Sequence, residues 1–287
     1  LTISGSTRVA GVIGDPVRHS LSPVLHNAAY RALELDWVYA AFEVPAGATG
    51  AALDAMRVLG LAGLSITMPH KTAAAECCDE LTADAAALQS VNTVRVTEHG
   101  RLTGDSTDGE GFLRSLREAG HDPAGVRAVV LGSGGAARAV ALALGRASAT
   151  VTVCARNPAA AAAAARLARG DAASWDERGA VAARSVLVVN ATPVGMATGE
   201  RAAAGDPPNA ADLPVPEEAL GSGQVCVDLV YHPRDTALVR AARRNGAAVV
   251  DGLGMLVHQA ALQIEAWTGR SAPIAAMRAA VEAAVAS

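Results

Sequence analysis

The segment that most restricts how this 287-residue chain can fold is "VVLGSGGAARAV", residues 129 to 140. An apolar strand, Ala128 to Leu131, runs directly into Gly132, Gly134 and Ala137, and a helix follows at once. That is G-x-G-x-x-A in the strand-to-helix setting it requires. Gly132 permits the tight turn, Gly134 lets the backbone approach a pyrophosphate, and Ala137 allows the helix to pack close to the strand. The backbone of Ser133, Gly134, Gly135 and Ala136 then offers free N–H groups, at the positive end of the helix dipole, to an anion. The turn predicts a Rossmann-type dinucleotide-binding domain.

The surrounding pattern agrees. Strand-like runs follow at 149 to 155, 185 to 192, 224 to 230 and 247 to 252. The first hundred residues alternate in the same way, with strands at 8 to 14, 37 to 44 and 63 to 68 and helices at about 23 to 35 and 48 to 59. Strands separated by helices predict parallel pairing. The Gly- and Asp-rich stretch 99 to 120 leads into an amphipathic helix with Phe112, Leu113 and Leu116 on one face, which suits a domain junction. The fold class is therefore α/β with two α/β domains. The expected division is 1–104, completed by C-terminal helices from about 240–287 that pack back on it, and 105–239 as the Rossmann-type domain. Within the tail, Gly269 can end one helix and Pro273 begin another. The stretch 200 to 216 holds four of the 13 prolines and reads as a loop.

Aromatic residues make up only 3% of the chain, so the cores must be built from small and aliphatic side chains, and the alanine run within 157 to 170 reads as a helix. With a net charge of -4 there is no basic stripe to meet a nucleic-acid backbone. No apolar run is long enough for a membrane span, and the first residues lack a signal-peptide pattern. Cys77, Cys78, Cys154 and Cys226 form no CxxC pair, and His19, His70 and His258 form no ligand set, so no metal is expected. Reduced thiols and a cytoplasmic location fit best.

At the end of the strand after the glycine turn, an NAD enzyme usually supplies an acid to the ribose hydroxyls. This chain reads "VTVCARNP" there, with no acid and with Arg156, whose guanidinium could pair with a ribose 2'-phosphate or stack on adenine. The expected cofactor is NADP (NADPH). A nicotinamide cofactor calls for a substrate carbon that exchanges hydride and for a side chain that moves the hydroxyl proton. "SITMPHK" offers one: Ser65 to Thr67 have strand character, Pro69 ends the ladder, and Lys71 stands at the exit. Taken singly, Lys71 and Gln259 would be solvated surface groups, Asn92 a turn residue, Asp108 a helix cap, and Ser22 before Pro23 an N-cap.

Read together, "GVIGDPVRHSLSPVLHNAAY", "SITMPHK", "SVNTV", "GDSTDGEGF", "GSGGAARA", "NATPVGM", "DLVYHP" and "DGLGMLVHQAALQIEAWTG" occur in an order that resembles the shikimate/quinate dehydrogenase family. The resemblance spans nearly the whole chain. It implies NADPH-dependent, reversible reduction of 3-dehydroshikimate to shikimate in aromatic amino-acid biosynthesis, with Lys71 as general acid/base and Asp108 as its partner. It further implies substrate binding by Ser20, Ser22, Thr67, Asn92, Tyr231 and Gln259, the two serines holding the carboxylate. Thr192, Gly252 and Met255 join the glycine turn and Arg156 around the cofactor. The chain departs from residues common in the family: Ser65, Ser106 and Ala155 stand where asparagine is frequent, Gln89-Ser90 where glycine-alanine is frequent, and Asn157 where a hydroxyl residue is commoner. The alternatives are a quinate or aminoshikimate dehydrogenase that prefers NAD, and a nucleotide-binding sensor without catalysis. A monomer and a homodimer are both acceptable.

Overall fold

The computed structural model describes residues 3–196 and 213–286, so most of the loop expected at 200 to 216 lies outside the described residues. Two compact units divide the chain, Leu1–Gly111 with Val257–Ser287, and Phe112–Leu256.

The first unit is built on a six-stranded sheet of order β2-β1-β3-β5-β6-β4, formed by β1 (Arg8–Gly14), β2 (Trp37–Glu43), β3 (Gly63–Ile66), β4 (Glu80–Leu81), β5 (Thr93–Val96) and β6 (Leu102–Asp105). The β-strand runs expected at 8 to 14, 37 to 44 and 63 to 68 are β1 to β3, and they pair in parallel with α1 (Ser22–Ala32) and α2 (Thr49–Leu59) between them. Beyond β3 the sheet departs from expectation, because β5 runs antiparallel to both β3 and β6. The cause is local. Thr97 N–H donates to the Arg101 carbonyl at 2.8 Å and Gly100 takes φ +74°, closing a connection too short for a parallel crossover. Strands β4, β5 and β6 and helix α4 (Ala83–Leu88) are not among the elements expected from the sequence. The Thr82 hydroxyl caps α4, and Gln89 ends it in the left-handed region at φ 46°.

Helix α3 (Lys71–Cys77) follows β3. From the C-terminal part of the chain, α10 (Gly252–Thr268) and α11 (Ile274–Ala286) complete this unit, although α10 begins in the other one. A Cβ on Gly63 would fall 2.3 Å from the Trp267 ring, so the strand accepts this helix only because position 63 is bare. Helix α11 packs along α1.

The second unit carries an all-parallel six-stranded sheet of order β12-β11-β10-β7-β8-β9. Its strands are β7 (Arg127–Leu131), β8 (Thr150–Ala155), β9 (Asp171–Ser174), β10 (Leu187–Asn190), β11 (Val225–Asp228) and β12 (Ala248–Val250). Numbered within the unit from the other edge, the order is 3-2-1-4-5-6, that of dinucleotide-binding sheets. Helices α5 (Asp108–Glu118), α6 (Gly135–Arg146), α7 (Pro158–Ala168), α8 (Arg178–Ala183) and α9 (Ala237–Arg244) accompany it. The alanine-rich run is indeed helical, and Ala161, Ala164, Ala165 and Ala168 are buried. Small side chains let α6 and α7 meet backbone to backbone: a Cβ on Gly145 would lie 2.6 Å from the Ala168 Cα.

The observed division differs from the expected one at both junctions. Phe112, Leu113 and Leu116 are buried in the second core, so the cut falls inside α5 after residue 111 and not at 104. Strand β12 pairs with β11, so the chain from 240 to 256 belongs with the second sheet.

Five of the chain's eight Phe, Trp and Tyr residues belong to the first unit. His26 stacks on Tyr39 with ring centroids 4.0 Å apart and lies 5.5 Å from Trp267. Its Nδ1–H donates to the Ser22 carbonyl at 2.8 Å. Burial outweighs that bond and pushes its pKa down from 6.5 to about 4.

Two outcomes follow from this packing. Gly145→Val drives a side chain into the α7 backbone and should destabilise the protein by about 1 to 3 kcal/mol, read as an earlier midpoint in urea denaturation; an unchanged midpoint would contradict backbone contact between α6 and α7. The folded pKa of His26 lies below its unfolded value, so its contribution is complete above pH 6.5 and is lost as pH falls toward about 4. Between pH 7.5 and 5, above most carboxylate titration, this removes about 2 kcal/mol from the unfolding free energy. His26→Gln should flatten that slope, and an equally steep profile in the variant would assign the loss to other groups.

Candidate active site

Strand β3 carries the chain outward to Thr67, whose N–H donates to the Ile13 carbonyl at 3.0 Å. A Cβ on Gly14 would stand 2.5 Å from the Thr67 methyl, so the glycine ending β1 is what lets Thr67 sit against it. The chain then turns through Pro69, with His70 N–H bonded to the Thr67 carbonyl at 2.9 Å. The His70 ring is buried: Nε2–H donates to the Val44 carbonyl at 2.8 Å, and Nδ1 is 2.9 Å from the Thr49 hydroxyl at the start of α2. These two bonds pin the N-terminus of α3, and Lys71 is its first residue.

Lys71 Nζ donates to Asp108 Oδ2 at 2.6 Å. Asp108 Oδ1 is held in turn by Asn92 Nδ2 at 2.8 Å. The Lys71 and Asp108 side chains are 24% and 13% exposed, sheltered enough to escape most solvent screening yet still reachable by a small molecule. Asn92 is buried and its amide is fully engaged. Its second Nδ2 hydrogen goes to the Thr107 hydroxyl at 3.0 Å, while Oδ1 accepts from Thr107 N–H and the Thr93 hydroxyl, both at 2.9 Å. Asn92 therefore acts first as a bracket for Asp108.

Thr107 carried no role in the sequence reading, yet it ties three segments together. Besides Asn92, its hydroxyl reaches the Gln259 carbonyl on α10 at 3.1 Å. That helix can come so close because a Cβ on Gly111 would lie 2.7 Å from Gln259 N. Behind Asn92 runs a second buried chain that the sequence did not announce: Tyr39 Oη to Ser65 Oγ at 2.6 Å, Ser65 Oγ to Gln263 Oε1 at 2.7 Å, and Gln263 Nε2 to the Asn92 carbonyl at 3.3 Å. The only outward signals were Thr107 beside Asp108 and Gln263 one helical turn after Gln259.

Ser20 and Ser22 stand half-buried before and at the start of α1. The capping expected of Ser22 is not made. Leu21 holds the cap position with no side-chain bond, and it is Ser20 Oγ that accepts, weakly, from Ser22 N–H at 3.3 Å. Pro23, which fixes φ in the first turn, lets the helix begin one residue earlier than a Ser22 cap would allow.

In the second unit Gly132 takes φ +107°, and a Cβ there would lie 2.9 Å from the Ala191 carbonyl, so only glycine fits. Gly134 and Gly135, where α6 begins, are exposed, and a Cβ on either meets nothing within 4 Å. Open space thus stands before the helix's free N–H groups, between half-buried Ser133 and Ala136, as a bound pyrophosphate needs. Arg156 is exposed at the end of β8, whereas the neighbouring Asn157 spends its side-chain oxygen on Ala160 N–H at 3.1 Å, capping α7. The Thr192 hydroxyl donates to Asn190 Oδ1 at 2.6 Å and accepts from Val194 N–H at 3.1 Å, so its hydrogen is already committed inside the turn. Tyr231 and Met255 are half-buried, with burial raising the Tyr231 pKa and Met255 packed against the core. Gly252 is buried, and a Cβ there would sit 2.6 Å from the Leu229 carbonyl, so its evident duty is close packing.

Among the described residues no three His, Cys, Asp or Glu side chains gather as a metal site would require. The backbone turn, the cation at the end of β8 and the paired lysine and carboxylate fit a phosphate-bearing cofactor and a polar substrate.

Comparison with known proteins bears directly on this geometry. Residues 12–94 match the model of the shikimate dehydrogenase substrate binding domain, and residues 252–282 that of the shikimate 5'-dehydrogenase C-terminal domain. The shikimate dehydrogenase (NADP(+)) of Methanopyrus kandleri is 42% identical, over 98% of this chain and 97% of its own. The crystal structure of shikimate 5-dehydrogenase from Thermus thermophilus, in complex with NADP(H) and shikimate, is 36% identical with a TM-score of 0.86, covering 96% of this chain and 99% of that one. A quinate dehydrogenase from Corynebacterium glutamicum, in complex with NAD, is 29% identical with the same TM-score, covering 96% and 99%. With its fold, its motifs in order and its near-complete coverage by these relatives, this chain belongs to the shikimate dehydrogenase family.

Proposed function

We propose that this protein reduces 3-dehydroshikimate to shikimate with NADPH, reversibly, and that the Lys71–Asp108 pair carries the proton. The observation that supports this most is the 2.6 Å bond between Lys71 Nζ and a carboxylate whose other oxygen is fixed by a buried amide. An ammonium so oriented can present one of its remaining hydrogens to a substrate oxygen without searching for direction. NADPH, when bound, supplies the hydride that reaches the C3 carbonyl carbon. Lys71 donates a proton to the C3 oxygen in that direction and accepts it back in the other. Asp108 orients the ammonium and balances its charge, and Asn92, anchored by Thr107, keeps the carboxylate in place.

The substrate is a small molecule with one carboxylate and several hydroxyls. In this reading Ser20 and Ser22 donate to the carboxylate, Thr67 and Gln259 contact hydroxyls, and Tyr231 also binds the substrate. The second unit holds the cofactor through the turn from Gly132 to Ala136, through Arg156 at the 2'-phosphate and through the segments bearing Thr192, Gly252 and Met255. All four cysteines are free thiols, which fits a cytoplasmic enzyme. A monomer or a homodimer would serve this chemistry, and neither a nucleic acid nor a membrane takes part in it.

The direct test is absorbance at the reduced-nicotinamide band with shikimate or quinate and NADP or NAD, in all four combinations. Turnover with shikimate and NADP well above the other three supports the proposal; preference for quinate with NAD would move the protein to the quinate branch, and absence of all turnover would overturn catalysis. Lys71→Ala should lower kcat/KM by about 10³-fold, the range of a lost general acid/base, while NADPH binding persists. Near-normal turnover would remove Lys71 from the mechanism. Because Asn157 is occupied with its helix, Arg156→Ala should erode preference for NADP over NAD by about 10- to 100-fold, the worth of one charge-assisted contact. An unchanged cofactor ratio would place 2'-phosphate recognition elsewhere.

A further inference from the structure

The second unit contains a fully buried carboxylate that the proposed chemistry does not use. Asp228 ends β11, and the parallel register sets it beside Asn190 at the end of β10, which in turn lies beside Leu131, the residue before Gly132. This row stands at the carboxyl edge of the sheet. Strand order reverses between β7 and β10, the place where such sheets bind their ligands.

Asp228 has three donors. Its Oδ1 accepts from Asn190 Nδ2 at 2.9 Å and from Val230 N–H at 3.1 Å, and its Oδ2 accepts from the Thr236 hydroxyl at 2.6 Å. Asn190, Asp228 and Thr236 are all fully buried. Each bond reaches a different connection. With its Nδ2 held, Asn190 points Oδ1 at Thr192 N–H and at the Thr192 hydroxyl, closing the turn that packs against Gly132. The Val230 bond shapes the exit of β11 immediately before Tyr231. The Thr236 hydroxyl also caps α9 by accepting from Val239 N–H at 3.1 Å, and Gly195, at the far end of the 191–195 turn, packs close to Thr236.

Holding two strand ends together does not need a charge. Burial raises the Asp228 pKa against the pull of its three donors, so the carboxylate sits there at a desolvation cost that an uncharged pair would avoid. What the carboxylate alone provides is an acceptor for three donors from three segments at once. We infer that Asp228 is a positioning residue for the cofactor, fixing through Asn190 and Thr236 the 191–195 turn against Gly132 so that the NADPH site is formed before the cofactor arrives. This rests on the reading that the second unit holds NADPH.

The test is fluorescence titration of the full-length protein with NADPH alone, beside steady-state kinetics and thermal melting, for Asp228→Asn, Thr236→Val and Thr236→Ser. Asp228→Asn replaces the Oδ2 acceptor with an NH2 group, so the Thr236 hydroxyl can no longer donate there and must turn to accept. It should raise the NADPH dissociation constant by at least about tenfold, the scale of one lost charge-assisted bond, and leave the KM for shikimate near wild type. Thr236→Val should weaken NADPH in the same sense, and Thr236→Ser, which keeps the hydroxyl, should restore it. If Asp228→Asn does not fold, the two Thr236 variants decide. The proposal is overturned if Thr236→Val, or a folded Asp228→Asn, binds NADPH within twofold of wild type, even with a lowered melting temperature, since Asp228 would then hold the fold and not the site. A wild-type protein that fails to bind NADPH would overturn the cofactor reading itself, and this inference with it.

Discussion

In the proposed mechanism the chemistry turns on the ion pair between Lys71 and Asp108, and much of the first unit is arranged to fix its two ends. A lysine on a four-carbon stem is a poor catalyst while free to wander, because each orientation it samples lowers the chance of meeting the reacting oxygen. Here its helix is pinned by the buried His70 ring and its ammonium by a carboxylate that cannot swing, since Asn92 occupies the other oxygen. The residues behind Asn92, from Thr107 to Tyr39, belong to the same device.

Both units use one solution at the ends of their strands. In each, a buried asparagine uses both ends of its amide to hold a loop: Asn92 grips the adjacent Thr107 and Asp108, and Asn190 joins Asp228 to the turn at Thr192. A buried amide has to satisfy its donors and acceptor or lose stability, which makes it a sensitive gauge of loop position. Glycine serves the complementary purpose. Gly14, Gly111 and Gly132 are needed where another residue's atoms already fill the space a Cβ would take.

The readable parts of the sequence were those governed by short-range rules. The glycine turn at 132 to 137 sits between a strand and a helix and could be interpreted from backbone chemistry alone; Lys71 at a strand exit became meaningful once a nicotinamide cofactor was in view. Long-range facts were hidden. That β6 folds back antiparallel on β5 depends on a short connection, residues 97 to 101, that resembles any polar loop. That Thr107 braces Asn92, or that Ser20 and not Ser22 takes the α1 backbone N–H, depends on geometry with no periodic signature. The domain boundaries moved because two helices, α5 and α10, are shared between the units, and an amphipathic pattern does not say which core each end will enter.

If Lys71 and Asp108 work as one unit, a double-mutant cycle on kcat/KM for shikimate will show it, using Lys71→Ala, Asp108→Asn and the two combined. If Asp108 acts through Lys71, removing it from a protein that already lacks the lysine costs little further, and the double variant should fall about as far as Lys71→Ala alone. Losses that multiply would mean that the two side chains contribute independently, and the pairing seen at 2.6 Å would then be structural and not part of the proton's path.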